Sequence, residues 1–352
     1  MKRTSWIGCA ALALACVGCE QATDQQAKLL IRPVGWIGRA MEWCAGPAER
    51  LEETGRIDAH RRVEVEEGVE IDVWLIKSRL YDESAGNKGS IFEGRLTRGT
   101  VVLLHPMLTG KAWFLGMGER MAKRGWDVVL MDLRGHGFSD GEYTTWGVRE
   151  KQDVKKVVDE ILAGEAVSGN VYACGSSAGG SIAIQYAAID PRCKGVVAVA
   201  PPAGAVGIFR RILCLLAEPY FQRAVKRAGE MADFDPADAS AVAAAKKLKC
   251  PLVVIHGSWD LLVPFQNGER IFQAAGSEKK RLIPLKYVGH ISEIGRTGWL
   301  TDQMDTLADM SHEKAGPVRT VARTRWRSSP QAWVPEIAGR GAGFGPHSCG
   351  GR

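Results

Sequence analysis

At 352 residues the chain can bury a sizeable core, as one large α/β domain or two ordinary ones. Its 45% hydrophobic and 24% charged content excludes a disordered or fibrous protein. The net charge of +6 belongs to the ends: Lys2 and Arg3 stand at the start, and seven basic against two acidic residues follow Ser311, so the body is near neutral and lacks the footprint of a nucleic-acid binder.

Lys2 and Arg3 precede an apolar stretch, Ile7–Val17, too short for a comfortable membrane span; a basic start and a short apolar core read as an export signal over residues 1–18. Two processing sites compete. Val17-Gly18-Cys19 resembles the end of a bacterial lipobox, although Cys16 stands where that box has an aliphatic residue. Cys19 would then be acylated, giving an exported chain anchored to the membrane and facing the periplasm or cell exterior. Ala13-Leu14-Ala15 is the alternative, an ordinary cleavage site that would leave a soluble secreted protein.

Residues 19–62 are expected to form a helical segment packed on the body. A helix lying on a membrane surface is the sharper alternative, because Trp36 and Trp43 stand near Arg32 and Arg39. Val63–Val65 and Val69–Ile76 alternate around Gly68 and predict an antiparallel hairpin. Polar, Gly-rich residues 82–99 read as a loop. From Thr100 strands and helices alternate: strands at Val101–Leu104, Val128–Met131, Val171–Cys174, Val196–Val199, Leu252–Ile255 and Leu282–Tyr287, with helices at Ala112–Arg124, Glu150–Leu162 and near Phe265–Ala275. This alternation predicts an α/β fold with a mostly parallel, doubly wound sheet over 63–310. The interval Pro201–Cys250 is too long for one crossover; Ala205–Leu216 and Tyr220–Met231, with Pro219 between them, predict a small helical lid at about 203–234, before an Ala-rich helix Ala237–Lys249. Residues 311–352, rich in Gly, Pro, Ser and Arg, form a basic tail expected to be disordered.

One stretch carries chemistry. Val171–Cys174 runs into Gly175-Ser176-Ser177-Ala178-Gly179 and then at once into apolar residues at helical spacing, the strand–turn–helix context that G-x-S-x-G needs to present a nucleophilic serine. A Gly/Ser turn that merely caps a helix is the bland alternative. Against it stand Asp260, just past Leu252–Ile255, and His290, just past Leu282–Tyr287. A serine hydroxyl needs a base to take its proton, and the base needs a third group to hold its tautomer. All three candidates fall where parallel strands end, the crevice where open α/β sheets bind ligands.

The order Ser, Asp, His, the elbow, Asp132-Leu133-Arg134-Gly135-His136-Gly137-Phe138-Ser139 and His256–Pro264 together resemble the α/β-hydrolase superfamily, over about residues 63–300. The resemblance implies Ser177 as nucleophile, Asp260 as orienting acid and His290 as general base of a serine hydrolase. It would cleave a carboxylic ester or related acyl bond of a small molecule through an acyl-enzyme, without a cofactor. Where many members have His-Gly after the third strand, this chain has His105-Pro106-Met107-Leu108; Pro106 has no N–H, so the oxyanion donors become the N–H groups of Met107 and Ala178. Asp132 and Arg134 are expected to brace a loop, and His105, His136 and His256 to be structural. No group of residues shows metal-ligand spacing. An aminopeptidase-like enzyme and a non-catalytic surface lipoprotein that keeps the fold are the alternatives. In this fold Cys193 and Cys250 precede neighbouring parallel strands, so they should be adjacent, either as a disulfide or as two small buried thiols.

Overall fold

The computed structural model describes residues 20–33, 35–81, 95–290 and 297–312. The leader 1–18, Cys19 and the tail beyond 312 therefore lie outside the described residues. Three helices come first, α1 (Glu20–Ile31), α2 (Gly35–Ala45) and α3 (Ala48–Glu53). The hairpin follows as β1 (Ala59–Glu66) and β2 (Val69–Ile76), turning at Gly68, whose φ of +71° lies where a side chain would be strained.

The alternating region runs β3 (Gly99–Leu104), α4 (Leu115–Lys123), β4 (Trp126–Met131), α5 (Glu150–Gly164), β5 (Val171–Ser176), α6 (Ala178–Ala187) and β6 (Cys193–Val199). After β6 come α7 (Ala205–Ile212), α8 (Glu218–Ala232) and α9 (Ala241–Ala245); the chain closes with β7 (Leu252–Gly257), α10 (Gln266–Ala274), β8 (Lys280–Leu285) and α11 (Thr297–His312). The strands form one eight-stranded sheet in the order β1-β2-β4-β3-β5-β6-β7-β8. β2 pairs antiparallel with β1 and β4, and every other neighbouring pair is parallel.

Burial explains why the inner strands are nearly continuous apolar runs. Successive residues of β3 face opposite sides, Val102 and Leu104 into a core with Val154, Val158 and Ile182, Val101 and Leu103 into one with Met117, Met121 and Met304. Each such fully buried side chain contributes about 1.5–3 kcal/mol. A third cluster joins α1 to the two extra helices, Ala27 and Leu30 packing with Phe209, Phe221 and Ala224. The N-terminal segment is thus part of the body's packing.

Five local expectations shift. Pro219 lies in the first turn of α8, where its missing N–H costs nothing, and does not separate the lid helices. The Ala-rich helix Ala237–Lys249 shrinks to α9. The Ala205 N–H donates to the Ala239 carbonyl at 2.8 Å and that of Val242 to Ala203 at 3.2 Å, which holds this stretch against the lid's start, and Ser240 caps what helix remains. The helix expected at Ala112–Arg124 begins as a 3-10 turn, Lys111–Phe114, and β8 ends at Leu285, two residues early. Finally, α11 extends through His312, past the boundary placed at 310.

Candidate active site

β5 delivers the chain to Ser177 and α6 takes it away, and the corner is tight enough to force Ser177 to φ 52°, ψ −120°. Few non-glycine residues are held there without a compensating function. Two glycines make the corner. A Cβ on Gly175 would lie 2.2 Å from the Gly179 carbonyl oxygen, and one on Gly179 would lie 2.1 Å from that of Leu104. The second contact presses the end of β3, and the turn after it, against the first turn of α6.

Ser177, His290 and Asp260 meet at the C-terminal edge of the sheet. His290 Nε2 lies 3.0 Å from Ser177 Oγ, and His290 Nδ1 lies 2.6 Å from Asp260 Oδ2. With the ring proton on Nδ1 donated to the carboxylate, Nε2 is left to accept the serine proton. Asp260 is buried, and its other oxygen accepts the N–H groups of Leu262 at 3.0 Å and Val263 at 2.8 Å. Burial alone would raise its pKa; hydrogen bonding to His256, His290 and the Val263 N–H outweighs that and holds the carboxyl at about 2. It is therefore ionised at neutral pH. His256 serves this loop, its Nε2 donating to the Val263 carbonyl at 2.7 Å.

Of the two expected oxyanion donors, Ala178 follows the serine directly, and Met107 follows the end of β3, whose Leu104 carbonyl presses on Gly179. Ala178 opens α6, where N–H groups have no helical partner and the dipole favours negative charge. Met107 lies in the turn after β3, shaped by Leu108 at φ 67° and by the Thr109 N–H donating to the Pro106 carbonyl at 3.3 Å. His105 braces that turn from inside: its Nδ1–H donates to the Pro106 carbonyl at 2.9 Å and its Nε2 accepts the Leu133 N–H at 2.9 Å. Burial pushes its pKa well below the ordinary histidine range, so the neutral ring these bonds require is the stable one. Burial lowers His136 as well, and its Nδ1 lies 3.0 Å from the Arg134 carbonyl. Arg134 pairs with Asp153 at 2.8 Å and Glu66 at 2.8 Å, which fits the bracing role expected of it.

Sequence reasoning missed the buried cluster beneath this loop. Lys111 is fully buried, and its ammonium meets Asp72 at 2.7 Å, Asp132 at 2.9 Å and Glu42 of α2. Trp74 lies below it, with the ring centroid 4.5 Å away. The carboxylates of Glu42, Asp72 and Asp132 converge as metal ligands do, but here they converge on the lysine ammonium. Asp132 also accepts the backbone N–H groups of Lys111 at 2.6 Å and Phe138 at 3.0 Å. Only Asp132 carried any signal, through its loop motif. The partners of Lys111 lie 21 to 69 residues from it along the chain.

At the opposite edge of the sheet, Cys193 and Cys250 are neighbours as the topology implies. Both are free thiols, close enough to shift each other's ionisation, and Cys193 is bonded to the Gly195 carbonyl at 3.5 Å. A cleft of about 630 Å³ runs along α8 from Gln222 to Pro236 and contains none of the three residues that meet at Ser177.

Comparison with known proteins agrees with this architecture. Residues 96–229 match the family model described as "Serine aminopeptidase, S33". An esterase of Pyrococcus furiosus superposes with a TM-score of 0.56 at 20% identity, over 73% of this chain and 93% of its own. The acylaminoacyl peptidase of Pyrococcus horikoshii superposes with a TM-score of 0.56 at 15% identity, over 73% of this chain and 42% of its own. Est1E of Butyrivibrio proteoclasticus, solved with ferulic acid bound, gives 0.54 at 16% identity, over 71% and 99%. The uncharacterised protein YqkD of Bacillus subtilis is 25% identical over 209 residues, 56% of this chain, and the match spans 65% of YqkD's own length. The architecture is the α/β-hydrolase fold.

Proposed function

We propose that this chain is a serine hydrolase that cleaves a carboxylic ester or related acyl bond through an acyl-enzyme. The continuous path from Ser177 Oγ through His290 to Asp260 carries this reading. Ser177 attacks the carbonyl carbon as Nε2 of His290 takes its proton. Asp260, ionised and buried, stabilises the resulting imidazolium. The tetrahedral oxyanion is held by the N–H groups of Ala178 and Met107, and His290 returns the proton to the leaving alcohol. Water then repeats the sequence against the acyl-Ser177 ester.

The matched family model and the acylaminoacyl peptidase neighbour favour a second reading, an aminopeptidase-like enzyme. Such an enzyme needs an acidic group to hold a free amine. The lid region's carboxylates are already engaged: Glu218 with Arg210 at 3.4 Å, Glu230 with Lys226 at 3.4 Å and Asp233 with Arg149 at 2.7 Å. This supports the ester reading. Labelling by a fluorophosphonate probe, lost in Ser177→Ala, is expected; persistent labelling of that variant would overturn the nucleophile. p-Nitrophenyl esters turned over faster than aminoacyl amides would support the esterase, and the reverse order the peptidase.

A further inference from the structure

Of the thirteen exposed large apolar side chains among the described residues, nine lie in segments that leave the C-terminal ends of the parallel strands, as Ser177 does. Leu80 packs at the other edge, against Gly125 just before β4. The loops after β7 and β8, which carry Asp260 and His290, also carry Leu261, 87% exposed, and Tyr287, 71% exposed. Tyr287 meets Trp259 edge to face with ring centroids 5.0 Å apart, so the two rings brace each other in solvent. Leu108 and Leu215 stand out from the oxyanion turn and the lid.

The N-terminal helices extend this surface. Trp36 and Trp43 are seven residues apart and share the outer face of α2, with Trp43 84% exposed. The inner face is held by Gly38, where a Cβ would lie 2.9 Å from the Thr109 carbonyl oxygen, so α2 rests on the oxyanion turn itself. Asp24 of α1 pairs with Arg227 of α8 at 2.7 Å, joining α1 to the lid. Between Ala205 and Ala232 the lid has five basic and two acidic residues.

We propose that this face docks on an anionic lipid bilayer and that the acyl substrate is taken from that bilayer. The substrate clause rests on the hydrolase reading; the docking clause does not. Exposed tryptophan and tyrosine beside arginine suit a membrane interface, and a net basic lid complements anionic headgroups. α1 begins at Glu20, one residue after Cys19, where the lipobox-like motif would place an acyl anchor. No helix among the described residues is long and apolar enough to cross a membrane, which is consistent with a surface that lies on one. A protein or second copy seated here would cover Ser177, whereas a bilayer that covers it also supplies substrate.

The test uses the full chain and vesicles of equal parts phosphatidylcholine and phosphatidylglycerol with brominated acyl chains. The vesicles are expected to quench tryptophan emission. Trp36→Ser/Trp43→Ser, both on the outer face of α2 and away from the Asp260 and His290 loops, should lose a large part of that quenching, with Trp113 and Trp259 of the same face and Trp6 of the leader remaining. The same variant should turn over a soluble p-nitrophenyl butyrate as before, while its rate on a vesicle-borne long-chain ester falls tenfold or more. Absent quenching, equal quenching in the variant or an unchanged ratio of the two rates would overturn the proposal. Equal quenching by phosphatidylcholine alone would overturn its anionic part. No turnover of either ester by the full chain, with quenching intact, would sink the hydrolase reading and leave docking standing.

Discussion

Glu42 of α2 and Lys111, at the turn after β3, form a buried ion pair that fastens the N-terminal helix to the loop beside Ser177. Burial raises the Glu42 pKa from its ordinary 4.5 to about 7, against the pull of Lys111, with Asp132 and Asp72 adding to the rise. A carboxyl whose folded pKa is raised binds its proton more tightly when folded. Its contribution is full below the unfolded value and is lost as pH climbs through the folded one. His60, raised by its bond to Asp72, loses stabilisation with rising pH in the same sense, so wild type and variant must be compared. Glu42→Gln keeps a neutral hydrogen-bonding side chain next to Lys111. Its melting temperature should therefore fall less than wild type's between pH 5 and pH 8, by differential scanning calorimetry. Parallel curves would show that Glu42 does not titrate there.

Gly179 is where the elbow touches β3, and a methyl group there has nowhere to go because the neighbour is backbone. Gly179→Ala should destabilise the protein by about 3 kcal/mol, at the upper end of ordinary overpacking, and suppress turnover by moving Ser177 from the Met107 turn. Gly207, in α7 with nothing within 4 Å of its Cβ position, is the control. Gly207→Ala should be neutral or stabilise by up to about 1 kcal/mol. Equal denaturation midpoints for the two variants would refute this account of the corner.

Asp260→Asn separates holding the loop from holding the tautomer. The amide oxygen can keep the bonds from the Leu262 and Val263 N–H groups, which leaves NH2 facing His290 Nδ1. Nδ1 must then accept, so the ring proton moves to Nε2, and Nε2 can no longer take the serine proton. kcat should fall about 10^3–10^4-fold with the melting temperature nearly unchanged. Near-full activity would place the acid elsewhere.

How far the sequence could be read follows from the range of the interactions. The elbow was legible because Gly175, Ser177 and Gly179 carry their own geometry in five consecutive residues. Asp260 and His290 were legible because each follows an apolar strand directly. Lid helix ends were less so: the bonds of Ala205 to Ala239 and Val242 to Ala203, which shorten the Ala-rich helix to α9, join segments 34 and 39 residues apart. The Lys111 cluster was hidden for the same reason. A buried lysine looks like any surface lysine until Glu42, 69 residues earlier, is folded onto it.

The cysteine pair shows topology predicting a contact that residue type alone could not. Val196 pairs with Leu252 across β6 and β7, and the Val196 N–H donates to the Pro251 carbonyl at 3.0 Å, so the residues just before both strands enter the sheet side by side. The interaction between the two thiols raises the Cys193 pKa and lowers that of Cys250, which makes Cys250 the thiol that ionises first. Treatment with diamide should therefore join the two within one chain, as a non-reducing peptide map would show. Closing a loop of this length should add about 4 kcal/mol by the chain-entropy argument, so the oxidised form should melt at a higher temperature. Cys250→Ser should abolish both the crosslink and the gain. A map in which Cys250 is modified by diamide but never linked to Cys193 would show that the sheet edge cannot bring the sulfurs into bonding geometry.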